Sequence, residues 1–236
     1  MMTESKLGKI FQFMDTLGLG ERDPFGNPIL FKRIVMMVLG FISYNRLTVY
    51  NKTKITGTEH LENLPEQGVL FFRNTINYPI YLMAPRSNLF YVAASETMKN
   101  DGFLPRVMAQ AGAILVNRSW RAEGVDVKRE VDLAAVEKIG KGLKFGWVIS
   151  FPQGTTRAFA PLRKGTAHLI KGENPIVVPV RINGFRRAFD KKGLLIKKRN
   201  TTLTVEFREP IRFDSEATTE EILERLRQEI GLEHAE

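Results

Sequence analysis

At 236 residues, with 43% hydrophobic and 26% charged positions, the chain is long enough to bury a sizeable core and too apolar for global disorder. It has no cysteine, and its histidines, His60, His168 and His234, stand far apart; disulfides, iron–sulfur clusters, thiolate zinc sites and HExxH-type metal enzymes are excluded, and no metal is expected. The 35 Lys and Arg against 26 Asp and Glu leave a net charge of +9, which points to an anionic partner: nucleic acid, an anionic membrane or a phosphorylated substrate.

Residues 1–46 read as an appendage of N-terminal amphipathic helices, and residues 47–236 as one α/β domain. Met1 to Lys9 carries charges of both signs and no small-residue cleavage site follows an apolar run, so no signal peptide is expected. The stretch KLGKIFQFMDTLGLG is amphipathic and rich in Phe, Leu and Met. Ile34–Tyr44, IVMMVLGFISY, is apolar but well short of the roughly 20 residues needed to span a bilayer. Lys32, Arg33 and Arg46 flank it. Apolar stripes with cationic borders suit helices lying in a membrane interface, where Lys and Arg meet anionic headgroups. The alternative is a helix pair packed on its own domain.

Further along, Leu47–Gly57 alternates loosely like a strand, and TGTEHLENLPEQ turns the chain into the buried strand GVLFF, Gly68–Phe72. More strands are predicted at Leu89–Ala94, Ala113–Val116, Trp147–Phe151, Ile176–Ile182 and Thr202–Phe207. Between them Asp132–Phe145 is helical, with Leu133, Val136, Ile139 and Leu143 on one face. Thr218 and Glu221 make a capping-box pattern, after which Ile222, Leu226 and Ile230 recur at helical spacing. This alternation predicts an α/β fold with a mostly parallel sheet flanked by helices.

The richest stretch is Ser150–Lys171, SFPQGTTRAFAPLRKGTAHLIK. Its strand ends at Phe151, and Pro152 then removes a ladder donor and sends the chain out of the sheet. Gly154, Thr155 and the next threonine supply backbone and hydroxyl donors, and Arg157, Arg163 and Lys164 add three cations. Donors and cations on a loop at a strand end suit a phosphate or another anion. Upstream, AGAILVNRSWR brings Arg118 to the end of a second strand.

These blocks resemble a family. FPQGTTR resembles the Phe-Pro-Glu-Gly-Thr-Arg block of the glycerol-phosphate and lysophosphatidic acid acyltransferase superfamily; GAILVNR resembles its Gly-x-Ile-x-x-x-Arg block and IVVPVRI its Val-Pro-Val block. The Arg163–His168 phrase is similar to one in a bacterial subgroup whose third block reads Phe-Pro-Gln-Gly-Thr-Thr. The resemblance implies acyl transfer from acyl-CoA or acyl carrier protein, without a further cofactor, to a hydroxyl of a glycerol-phosphate, lysophospholipid or related lipid precursor. By position it implies that Arg118, Gln153, Gly154, Thr155, Arg157, Arg163 and Lys164 hold the acceptor's anionic head and that Val178 and Pro179 shape the acyl site. Gln153 stands where the family has Glu, and Arg157 one place later than the family's Arg. A peripheral protein on the cytoplasmic face of the membrane is implied as well.

One block does not fit. After the strand matching GVLFF the family has Asn-His-x-x-x-x-Asp, in which His is the general base on the acceptor hydroxyl and the carboxylate orients it. Here Asn74 is followed by Thr75, which is no base near neutral pH, and no Asp stands at Ile80 or Tyr81. Only sixteen residues separate Phe72 from Leu89, with Pro79 and Pro85 among them, little more than the dozen that a parallel crossover needs. We therefore expect this chain to lack about one motif and one helix, with the join near Arg73–Asn74; a gap beyond ~3.8 Å between their Cα atoms would mark a missing segment. His168 is the candidate substitute base, and the sequence assigns it no carboxylate partner. A non-catalytic module binding anionic lipids is the alternative reading. A nucleic-acid partner is not expected, because the aromatics fall in strand-like runs and no nucleic-acid motif is present.

Overall fold

The computed structural model describes residues 20–73, 89–94, 107, 111–116, 133–154, 160–190 and 195–232, the side chain of Arg73 excepted. Seven strands form one sheet: β1 (Lys52–Thr56), β2 (Val69–Arg73), β3 (Leu89–Ala94), β4 (Ala113–Val116), β5 (Trp147–Ser150), β6 (Ile176–Asn183) and β7 (Thr202–Phe207), in the order β1-β7-β6-β2-β5-β3-β4. Every pairing is parallel except β6 with β7. This is the mostly parallel α/β architecture that the alternation of elements predicts.

β2 sits inside the sheet, between β5 and β6, with Phe72 opposite Ser150 on one side and Pro179 on the other. Val69, Leu70, Phe71 and Phe72 are all fully buried, which explains why GVLFF is a continuous apolar run: both faces of a parallel sheet are covered. Val69 and Phe71 belong to one core layer, with Trp147, Val178, Leu203, Met36 and Leu47. Leu70 and Phe72 point the other way, into a layer with Ile139, Leu143, Ala167, Ile170, Ile222 and Leu226.

That second layer is roofed by helices α2 (Leu133–Leu143), α3 (Lys164–Glu173) and α5 (Thr219–Glu229); the other α-helices among the described residues are α1 (Ile29–Tyr44) and the single-turn α4 (Phe185–Ala188). The Thr218–Glu221 capping box forms as the sequence predicts, and Ile222, Leu226 and Ile230 are buried. On α2, Ile139 and Leu143 are buried, but Leu133, expected on the same face, is 71% exposed because it stands in the first turn, beyond the cover of the sheet.

One local difference from the expected elements, and one expected irregularity, have physical causes. The strand read from Leu47 begins only at Lys52, because α1 runs on into a π-helical turn, Asn45–Val49, in which Thr48 Oγ1 donates to the Tyr44 carbonyl. Pro179 lies within β6, where a proline normally breaks a ladder. A residue's N–H and C=O leave a strand on the same side, and the Pro179 carbonyl accepts from Arg208 N (2.9 Å), so the missing donor falls at the end of the β7 ladder.

Candidate functional site

Because β2, β5, β3 and β4 run parallel, their carboxyl ends share one edge of the sheet. The loops on which the sequence puts its chemistry all leave from this edge: at Arg73 from β2, Val116 from β4 and Ser150 from β5. The ends of β2 and β5 are direct neighbours, while β4 stands two strands from β5, roughly 10 Å away. Arg118, Thr155 and Arg157 lie outside the described residues, as does the Asn74 side of the Arg73–Asn74 join.

The loop after β5 is held by contacts on both of its flanks. Gly154 takes φ +58°, a left-handed conformation that glycine adopts without strain, and its N–H donates to the Phe151 carbonyl (2.9 Å). Arg163 N–H donates to the Pro152 carbonyl (2.9 Å), and the Arg163 guanidinium Nε donates to the Gln153 carbonyl (3.0 Å). Gln153 is 2% exposed; its Nε2 donates to the Ala160 carbonyl (2.6 Å), and its Oε1 finds no donor among the described residues.

Immediately after this clasp, α3 starts at Lys164. No acidic residue occupies its first turn and the N-cap Arg163 side chain does not cap it, so among the described residues nothing compensates the positive end of its backbone dipole, and the exposed Lys164 ammonium lies beside it. The described part of the loop is therefore an electropositive lip at the sheet edge. Val178 and Pro179 are buried in β6 beside Phe71 and Phe72. His168 lies one turn into α3, exposed, with no carboxylate or hydrogen-bond partner among the described residues.

The structure also holds charges that the sequence does not signal as a group. Lys32, expected to border an interfacial helix, is fully buried instead: Lys32, Val35, Met36, Gly40 and Ser43 form the face of α1 turned inward. Its helical spacing with those residues was the available signal. Its Nζ lies 3.9 Å from Asp23 Oδ2, at the amino ends of β3 and β4, away from the strand ends described above. Asp23 is in turn bonded by the N–H groups of Phe25 and Asn27 (both 2.9 Å).

A mostly parallel sheet with helices on both faces and a cationic loop at its carboxyl edge defines an α/β fold of the kind that carries ligand sites at strand ends. No protein-family model and no curated protein sequence matches the chain. Among solved structures, it is similar to the 1-acyl-sn-glycerophosphate (LPA) acyltransferase PlsC from Thermotoga maritima, with a TM-score of 0.56 and 14% sequence identity over 85% of this chain and 78% of that one. At that identity the likeness is one of fold.

Proposed function

We propose that this chain is a membrane-associated O-acyltransferase that moves a fatty acyl group from acyl-CoA or acyl carrier protein to a hydroxyl of a glycerol-phosphate, lysophospholipid or related lipid precursor. The observation that carries this reading is the clasped cationic loop at the end of β5, next to the end of β2, in a fold similar to that of an acyltransferase. In the transfer, the acceptor oxygen attacks the thioester carbonyl, an ester C–O bond forms, the C–S bond breaks, and the hydroxyl proton ends on the released thiol. Arg118, Gly154, Thr155, Arg157, Arg163 and Lys164 hold the acceptor's anionic head, and Val178 and Pro179 border the acyl chain.

The acceptor and donor meet this site at an anionic bilayer surface, on the cytoplasmic face. Ile34, Met37, Val38, Phe41 and Tyr44 form an exposed stripe along α1, continued by Val49 and Tyr50, in a pattern too contiguous for an ordinary surface. Lys52, Lys54, Lys197, Lys198 and Arg199 are exposed on and near the same edge of the sheet, and Arg199 lies over the Tyr50 ring (5.1 Å). Apolar anchors ringed by cations are complementary to anionic lipid headgroups. No helix among the described residues is long and apolar enough to cross a membrane.

A second reading rests on one specific feature, the absence of an Asn-His-x-x-x-x-Asp sequence after Phe72. Without that base the same pocket is a non-catalytic anionic-lipid-binding module. The two separate in one assay: acyl-CoA or acyl carrier protein with glycerol 3-phosphate or a lysophospholipid, ester product followed over time. Turnover supports the enzyme, and its loss in His168→Ala would make His168 the base. Retained lipid binding with no turnover supports the module, and insertion of an Asn-His-x-x-x-x-Asp segment after Phe72 should then recover activity. Neither turnover nor binding would sink both.

A further inference from the structure

Ser150 ends β5, a strand buried along its whole length, and is itself 7% exposed. The other buried serine and threonine hydroxyls among the described residues, those of Ser43, Thr166 and Thr201, each donate to a backbone carbonyl. Ser150 Oγ has no hydrogen-bond partner among the described residues. A hydroxyl taken out of water without a partner destabilises the fold, and an alanine in its place would not. Buried polar groups are otherwise paired, so this one calls for a partner that the folded chain does not supply.

Its place narrows what that partner is. Side chains alternate along a strand, so Ser150 shares the face of Val148, the face roofed by Ala167 and Ile170 of α3. Phe72 is its register partner, which sets the hydroxyl at the carboxyl ends of β5 and β2 together. One turn before Ala167 and Ile170, the Arg163 N–H and the Thr166 hydroxyl both reach the Pro152 carbonyl, two residues past Ser150. The first turn of α3 therefore lies over the Ser150 end of β5. In that turn the N–H groups of Lys164 and Gly165 have no acceptor among the described residues, and a Cβ built at Gly165 would meet nothing within 4 Å.

We propose that Ser150 is a substrate-binding residue, its hydroxyl donating to an oxygen of a phosphomonoester that the N–H groups of Lys164 and Gly165 also hold. The donor set selects the ligand. A hydroxyl and two amides at the positive end of a helix, with the Lys164 ammonium beside them and no acidic residue in the turn, suit a compact oxyanion with several acceptor oxygens. The unpaired hydroxyl is then the form of the site that awaits its ligand. This inference rests on the proposed function and deepens it, since it names the acceptor's phosphate as the group that Ser150 contacts.

In the full chain, Ser150→Ala is compared with the unaltered protein near neutral pH, by urea unfolding and by calorimetric titration with inorganic phosphate and with sn-glycerol 3-phosphate. Without ligand, the variant should unfold at the same urea concentration or a higher one, because it loses an unpaired hydroxyl and no bond. Both ligands should bind it about tenfold more weakly, the effect of one lost hydrogen bond to a charged group. A lower urea midpoint for the ligand-free variant would make the hydroxyl structural and overturn the proposal. So would unchanged affinity for inorganic phosphate, or no binding of it by the unaltered protein. Acyl-transfer turnover, followed separately, keeps the two readings apart. Turnover with unchanged phosphate affinity in Ser150→Ala removes the Ser150 contact and leaves the enzyme, whereas weakened phosphate binding in the variant with no turnover in the unaltered protein removes the enzyme and leaves the contact.

Discussion

The ammonium of Lys32 lies 3.4 Å from the centre of the Phe90 ring, completely buried beneath α1, with Asp23 Oδ2 3.9 Å away and no hydrogen bond to Nζ among the described residues. A cation over an aromatic face is attracted to the ring, but the attraction is modest beside the loss of water. Desolvation lowers the Lys32 pKa from 10.5 to about 8, against the opposing pull of Asp23.

The sign of the linkage follows. The unfolded chain takes up a proton at this residue near 10.5 and the folded chain only near 8. Below about pH 8 both are charged and the folded state bears the whole cost, about 3 kcal/mol. Between pH 8 and 10.5 that cost fades. Lys32→Met combined with Asp23→Asn, which removes both buried charges and keeps a side-chain acceptor for Phe25 and Asn27, should therefore be more stable than the unaltered protein at pH 7 by about 1–3 kcal/mol, whereas Lys32→Met alone leaves the buried Asp23 charge without its cation. Urea unfolding from pH 7 to 10.5 measures this: the advantage should shrink as pH rises, and a constant or growing difference would remove the burial argument.

The outward face of the same helix makes a different prediction. Met37 and Phe41 are 69% and 72% exposed, one turn apart. In the docking reading their insertion among acyl chains is the apolar half of binding, and the lysines of residues 197–199 are the ionic half. Met37→Asp with Phe41→Asp should abolish flotation with vesicles containing phosphatidylglycerol without lowering the unfolding midpoint. Lys197→Gln with Lys198→Gln should leave an apolar component but weaken its dependence on anionic lipid, by about 1 kcal/mol per charge. Unchanged flotation of the double aspartate variant would place the membrane contact elsewhere.

Helix α5 offers a test on the acid side. Thr218 Oγ1 accepts from Glu221 N–H (3.2 Å), and the Glu221 carboxylate accepts from Thr218 N–H (2.8 Å) and from its hydroxyl (2.9 Å). The backbone N–H of Thr218, then its hydroxyl, hold the Glu221 carboxyl below the usual range. A depressed carboxyl stabilises the fold above its unfolded pKa, and that contribution is lost as pH falls through the lower folded value. Thr218→Ala should cost about 1 kcal/mol at pH 7. The difference from the unaltered protein should narrow below about pH 4, because protonated Glu221 no longer answers to the cap. Denaturant midpoints at pH 7 and pH 3 decide it.

The strands were legible because burial writes them directly: β3 and β4 fall on the predicted residues as short apolar runs, and β7 does so by alternation, with Leu203, Val205 and Phe207 buried and Thr202, Thr204 and Glu206 on its more open face. What escaped was set by partners remote in sequence. Lys32 looks like a helix border until Phe90 and Gly112 come to lie against it. β7 reads like its parallel neighbours, yet it runs antiparallel to β6, a choice made by the connection through α4. In the site, FPQGTTR marked the loop correctly as leaving a strand end. It did not indicate that Gln153 and Arg163 spend hydrogen bonds on closing it, because those bonds run to backbone oxygens, which have no signature in sequence.

Gly154 is the point where loop geometry and side-chain packing meet. Its φ of +58° disfavours any other residue, and a Cβ there would fall inside contact distance of Arg163 Nε, the atom that bonds the Gln153 carbonyl. Gly154→Ala thus incurs two separable costs: backbone strain of about 1–2 kcal/mol, and displacement of the guanidinium. The first persists in any background, whereas the second exists only while Arg163 is present. In an Arg163→Ala background the alanine should cost only the strain, so the two changes together should destabilise by less than the sum of the single changes, a coupling of about 1 kcal/mol in a double-mutant cycle. Binding of sn-glycerol 3-phosphate should fall in Gly154→Ala and in Arg163→Ala alike, with little further loss in the double variant, since either change opens the same clasp. Strict additivity in stability would mean that Gly154 acts through its own backbone alone and that the contact with Arg163 is incidental.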